Sequence, residues 1–171
     1  MENFTNDSIK IDSLPKFEEV SYQPISKAYL IKASLLNFVF LCLAVIGWLV
    51  LFYFEIKQIQ LNLLLVGIIL YFSFKFWNII LLQKNYGFAL RDKDILYKRG
   101  HLVNKTTVVP FNRIQHVSIS RDVLDKMFKI SSLKIYTAGG SGGDIIIPGL
   151  APDLALRLKE ALAAKLTTNE F

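Results

Sequence analysis

Residues 33–54 read ASLLNFVFLCLAVIGWLVLFYF, residues 55–58 read EIKQ, and residues 59–82 read IQLNLLLVGIILYFSFKFWNIILL. The first run has 22 residues and no charge; the second has 24 residues and one charge, Lys75. An α-helix rises about 1.5 Å per residue, so about 20 apolar residues cross a hydrocarbon core of about 30 Å. Each run is long enough, and the short link permits only a tight reversal. The pattern predicts a helical hairpin that crosses a membrane twice, with spans over 33–54 and 59–82.

The competing accounts fit less well. A cleaved signal peptide has a short basic start and an apolar core of about 7 to 15 residues, whereas 32 residues of mixed charge precede the longer run here. Two soluble helices that are apolar on every side would need a surrounding domain larger than the remaining residues supply. Composition agrees with the membrane. The chain is 53% hydrophobic with mean hydropathy +0.39, above the roughly 45–50% apolar share of soluble domains. Cys42 is the single cysteine, which leaves no intramolecular disulfide or cysteine metal cluster.

Orientation follows Lys and Arg near the spans. Lys27 and Lys32 precede the hairpin, and Lys84, Arg91, Lys93, Lys98 and Arg99 follow it, while the link holds only Lys57. Both termini are therefore expected on the cytoplasmic side, with the Glu55–Gln58 link outside. Lys75 lies seven residues before Leu82, about 10 Å below that end of the span. Its stem is expected to snorkel to the headgroups, making Lys75, Trp77 and Lys84 membrane-interface anchors. A transport or relay role for Lys75 is the other reading, but neither span supplies an acid to partner it. Gly47 and Gly67 are the places where the helices could approach most closely, or are incidental to packing.

After the hairpin the pattern becomes short β-segments with turn punctuation. Tyr86–Leu90, Ile95–Arg99, Thr106–Val109, Ile114–Ser120, Leu133–Thr137 and Ile145–Ile147 read as strands, with Gly139–Gly143 as a hairpin turn. Arg121–Phe128 reads as a short helix. Pro152–Leu166 reads as an amphipathic helix with Leu154, Leu158, Ala161, Leu162 and Lys165 at helical spacing. Such a helix covers an open end of a small sandwich or barrel. The organisation is thus a polar segment 1–26, in which Phe17–Tyr22 could add a strand, a hairpin 27–84, a mainly-β domain 85–166 and a tail 167–171.

Three stretches carry a family resemblance: Leu90-Arg91-Asp92-Lys93-Asp94-Ile95-Leu96-Tyr97-Lys98-Arg99-Gly100-His101-Leu102, Val109-Pro110-Phe111-Asn112-Arg113-Ile114-Gln115-His116-Val117, and Phe128-Lys129-Ile130-Ser131-Ser132-Leu133-Lys134-Ile135 with Thr137-Ala138-Gly139. In that order the chain resembles bacterial PH-like (pleckstrin-homology-like) membrane proteins of the YdbS type, over about Lys27 to Leu166. The resemblance implies a two-helix membrane hairpin followed by a PH-like β-sandwich closed by a C-terminal helix. Six strands are visible against seven in a full PH-like fold, so one is missed or comes from flanking residues.

Catalysis has little footing, and no enzyme is expected. His101 and His116 are the only histidines and begin no metal spacing. Asp92 and Asp94 fit a charged turn. The glycine-rich loop lacks the Gly-Lys-Ser/Thr ending that cradles phosphate. No catalytic residue, metal, cofactor or small-molecule substrate is assigned. Arg113 and Gln115 match the family's recurrent Pro-x-x-Arg-Ile-Gln pattern and alternate, so they share a strand face with Val117 and Ile119. They are candidates for contact with a partner or lipid, or they bind loop backbone and hold the sheet. A bulge near His116 would change that parity. Lys93, Lys98 and Arg99 are candidate contacts to an anionic leaflet, where each basic group gains about 1 kcal/mol. No aromatic platform or motif points to nucleic acid. The expected function is a non-catalytic, membrane-anchored interaction or assembly module. Its partners would be membrane lipids and a protein, either a related membrane protein or a second copy. The alternative is a lipid-sensing or transport-associated subunit.

Overall fold

The computed structural model describes residues 20–54, 58–101, 103–138 and 144–168. The sequence-based expectations for the Gly139–Gly143 turn, for most of the link after Phe54 and for the first nineteen residues lie outside them.

The hairpin comes first. Helix α1 runs Lys27–Tyr53, and Ser26 caps it by accepting a hydrogen bond from the Ala28 N–H. Helix α2 runs Gln58–Asn85, so both helices extend past the apolar runs at the end nearer the β-domain. Both are long and apolar enough to cross a membrane, and no residue of their most apolar windows is buried inside the protein. Helices of this kind in a soluble core would be covered by other protein. Among the described residues, two polar contacts join the pair: the Trp48 indole N–H donates to the Leu61 carbonyl at 2.8 Å, and the Asn37 side chain donates to the Phe72 carbonyl at 3.3 Å. Gly47 and Gly67 are not points of close approach, because a Cβ added at either would meet nothing within 4 Å. Large side chains and these two hydrogen bonds set the spacing instead.

Two antiparallel sheets follow. Strands β1 (Gln23–Pro24), β2 (Gly87–Leu90), β3 (Asp94–Arg99) and β4 (Lys105–Pro110) form the first in that order. Strands β5 (Ile114–Ser120), β6 (Ser131–Thr137) and β7 (Ile145–Leu150) form the second. The seventh strand is thus supplied from before the hairpin: Gln23 pairs with Phe88 and Pro24 with Gly87. Pro24 lacks an N–H, which confines it to an edge strand. A single 3₁₀ turn, Phe111–Arg113, links the sheets. The short helix α3 is Val123–Met127, and α4 is Pro152–Thr168.

The core forms where the sheets and α4 meet. Phe88, Ile95, Tyr97, Phe111, Leu133, Ile135, Ile147 and Leu150 fill it, closed by Ala155, Leu158 and Leu162 of α4. Leu154 and Leu166 flank that stripe, while Lys165 is exposed. Burying each such side chain contributes roughly 1.5–3 kcal/mol, so the helix serves as the lid anticipated from its spacing. The architecture is a membrane-capable helical hairpin followed by a two-sheet PH-like domain with a C-terminal helix.

Candidate functional site

The β-domain is fastened to both helices, and this joint organises the charged residues. On the α1 side, the Ser26 N–H donates to the Gly149 carbonyl at 2.8 Å. Gly149 has φ +68°, and an added Cβ would lie 2.7 Å from the Tyr29 Cβ, so only glycine allows this approach. Further along α1, Lys32 Nζ donates to Asp122 Oδ2 at 2.8 Å and to Asp125 Oδ1 at 2.7 Å. These two carboxylates form the capping box of α3: the Asp125 N–H donates to Asp122 Oδ1 at 2.6 Å. Hydrogen bonding from Lys32, then from the Asp125 N–H, holds the Asp122 carboxyl below the usual carboxylate range.

On the α2 side, Gln83 donates to the carbonyls of Ile25 and Ser26. The Asn85 side chain hydrogen-bonds His101 Nδ1 at 3.0 Å, tying the β3–β4 connection to the end of the helix. Tyr86 lies between the rings of Tyr29 and Tyr97. Burial, followed by the neighbouring Tyr86, raises the Tyr97 phenol strongly.

The strand register divides the basic candidates into two groups. Lys98 pairs with Gly87 and Arg99 with Lys105, so Lys98, Arg99 and Lys105 gather where α2 ends, beside Lys84 in its last turn. Lys98 Nζ stands 5.7 Å from the Tyr22 ring centroid. Lys93 lies beyond the opposite end of β3, roughly 15 Å away along the strand. There it borders a notch of about 440 Å³ with Asp92, Pro110 and Asn112. Arg91 at that end is neutralised by a two-pronged contact to Asp94, 2.6 Å on each prong. Closeness in sequence grouped Lys93 and Arg91 with the membrane exit; the hairpin register takes them away from it. Lys105 takes their place.

Arg113 and Gln115 do not share a strand face. Arg113 belongs to the 3₁₀ turn. The β5–β6 register passes from Ile114 opposite Thr137 to His116 opposite Tyr136, which leaves Gln115 as the extra residue of a bulge. That bulge lets Ile114 and Val117 both face the core, while Arg113, Gln115 and His116 are exposed. Among the described residues, neither the Arg113 nor the Gln115 side chain has a hydrogen-bond partner. The Arg113 backbone does tie the sheet, its carbonyl accepting from the Ala138 N–H at 2.9 Å. His116 stacks on Tyr136 with ring centroids 4.0 Å apart.

Lys75 extends along α2 toward Tyr71. Its ammonium lies 5.5 Å from the centroid of the Tyr71 ring, one helical turn further from the β-domain. Helical side chains lean toward the helix N-terminus, which for α2 is the far side. Trp77 is 65% exposed, on the surface a bilayer would cover. Sequence reasoning missed Lys32, Asp122 and Asp125 as a unit. Asp122 with Asp125 does carry a local capping-box signal, but no local signal links it to Lys32.

Comparisons with known proteins bear on this architecture. The family model described as the bacterial PH domain matches residues 27–166, hairpin and β-domain together. The UPF0699 transmembrane protein YdbT of Bacillus subtilis (strain 168) is 26% identical over 87 residues, which is 50% of this chain and 18% of that protein. The match thus spans less than a fifth of that relative's length. No solved structure matches the chain.

Proposed function

The chain belongs to the bacterial PH domain family, and from that premise we propose that it is a non-catalytic interaction module anchored in a bacterial inner membrane. The hairpin crosses the bilayer twice, both ends face the cytoplasm, and the β-domain rests against the inner leaflet while presenting its outer loops to a protein partner. The joint supports this reading most directly. Lys32 with Asp122 and Asp125 on α1, and Asn85 with His101 on α2, fix the domain close to the helix ends. There Lys84, Lys98, Arg99 and Lys105 lie at headgroup level. Each can gain about 1 kcal/mol near an anionic surface, within a Debye length of about 8 Å. Confinement to the membrane plane raises the effective concentration of the domain for neighbours in that plane.

The full chain in nanodiscs tests the leaflet contact. Hydrogen exchange between residues 99 and 105 is expected to slow when phosphatidylglycerol replaces phosphatidylcholine. The slowing should fade with added salt and in the Lys98→Glu, Arg99→Glu variant. Equal exchange in the two lipids would sink the leaflet contact. A lipid-sensing role draws on the same residues and separates from tethering if headgroup identity, at fixed charge, changes the exchange rate.

A further inference from the structure

Lys75 carries a charge in a hairpin that contains no Asp or Glu in either span. Polar groups inside a membrane are costly and almost always face a protein interior or a partner. Lys75 lines a groove of about 820 Å³ between the two helices. Ala33, Asn37 and Phe40 of α1 form one wall, and Tyr71, Lys75 and Asn78 of α2 form the other. The spacing of these residues, three or four apart on each helix, makes the groove run as a trough along the half of the hairpin nearer the β-domain, from Ala33 to Ala44 and from Tyr71 to Leu82.

We propose that this trough receives a transmembrane helix of another protein, one that carries a carboxylate at the depth of Lys75. The proposal rests on the reading that the hairpin spans the bilayer. Depth decides against a lipid headgroup. Lys75 and Tyr71 lie seven and eleven residues before Leu82, about 10 and 16 Å below the end of the apolar run. The ammonium leans toward Tyr71, so it approaches the middle of a core about 30 Å thick, well below the phosphate layer. Charge decides against a second copy. A twofold pair would bring two Lys75 ammoniums to one depth with no acid from either hairpin. A partner carboxylate supplies the acceptor, and Asn78 beside it offers a further donor to the same group. Small Ala33 and Ala44 in the trough allow a neighbouring backbone to come close.

The full chain tests this, labelled at Asn104→Cys in a Cys42→Ala background and reconstituted in phosphatidylcholine. Two labelled Leu/Ala transmembrane peptides of about 24 residues serve as probes. They differ in a single Asp or Leu placed about 10 Å from the domain-side end. Energy transfer is expected to show the Asp peptide binding at least threefold more tightly than the Leu peptide, as interhelical hydrogen bonds allow. Lys75→Met, which retains an apolar stem, should erase that difference. Equal binding of the two peptides, or an Asp preference that survives Lys75→Met, would overturn the proposal. So would Lys75-dependent self-association without peptide, or Lys75-dependent retention of phosphatidylglycerol with no peptide preference. Release of the chain from vesicles by alkaline extraction would overturn the spanning reading as well; retention with equal binding overturns this inference alone.

Discussion

Lys32 Nζ lies 2.7 Å from Asp125 Oδ1, joining the start of a membrane-capable helix to a carboxylate 93 residues later in the chain. The Asp125 side chain is 8% exposed, so removing its partner leaves a nearly buried charge with only α3 backbone to satisfy it. Asp122, 60% exposed, completes the contact from the solvent side. This is the tie that sets the β-domain against the hairpin on the α1 side.

Lys32→Met should therefore lower the stability of the domain by about 1–3 kcal/mol, the cost of leaving a buried charged group unpaired. Thermal unfolding of the full chain in mild detergent measures it. Combining Lys32→Met with Asp125→Asn should cost less than the two losses added together, because the second change removes the orphaned charge. Strict additivity would mean that the two side chains act independently.

The same contact should weaken in acid. Hydrogen bonding from Lys32 and from the Asp125 N–H lowers the Asp122 carboxyl below its ordinary value. A group lowered on folding contributes stability that is complete above its unfolded value of about 3.9 and is lost as pH falls through the folded one. Protection factors of the α3 amides, which are corrected for the intrinsic pH dependence of exchange, should stay level from neutral pH down to about pH 5 and fall only below about pH 4. Exposure keeps the effect small and salt-sensitive. Asp122→Asn should flatten that acid limb, and an unchanged limb in the variant would remove Asp122 from the account.

Gly149→Ala probes a second contact of the joint on the α1 side. The backbone there has φ +68°, and the new Cβ would meet the Tyr29 Cβ at 2.7 Å. A cost of about 1–3 kcal/mol is expected from backbone strain alone, with the contact adding to it. The readout is a lower melting temperature together with loss of the Ser26–Gly149 hydrogen bond, seen as faster exchange at Ser26. A variant as stable as the parent would show that α1 can move away freely.

At the far end of the hairpin, Trp48→Phe keeps the ring but removes the donor to the Leu61 carbonyl. Interhelical hydrogen bonds in membranes contribute about 0.6–1.7 kcal/mol. Helix separation, followed by energy transfer between probes on the two helices during SDS titration, should come at lower SDS, with a loss of unfolding free energy in that range. A midpoint that does not move would assign the hairpin's closure to apolar packing.

Much of the architecture was legible in the chain itself. The lengths of the two apolar runs required helices that are apolar on every side and long enough to cross a membrane. Alternation and punctuation located six strands, and the stripe of Leu158 and Leu162 identified the lid. β1 escaped because two residues containing Pro24 carry no strand periodicity; it exists only through pairing with Phe88 and Gly87. The bulge at Gln115 escaped for a related reason. Periodicity assumes an uninterrupted ladder, and one extra residue reassigns every face on its N-terminal side.

What tertiary structure alone decided is which charges meet. The sequence placed Lys93 near Lys98 and said nothing of Lys32 near Asp125, because neighbourhood along the chain is not neighbourhood in space. Hairpin register carried Lys93 to the far end of β3 and brought Lys105 to the helix exit. Docking of α3 on α1 produced the Lys32 contact. Helix geometry set Lys75 against Tyr71. Hydropathy and periodicity are properties of short windows and follow from composition; side-chain direction and long-range pairing are fixed only when the whole chain packs.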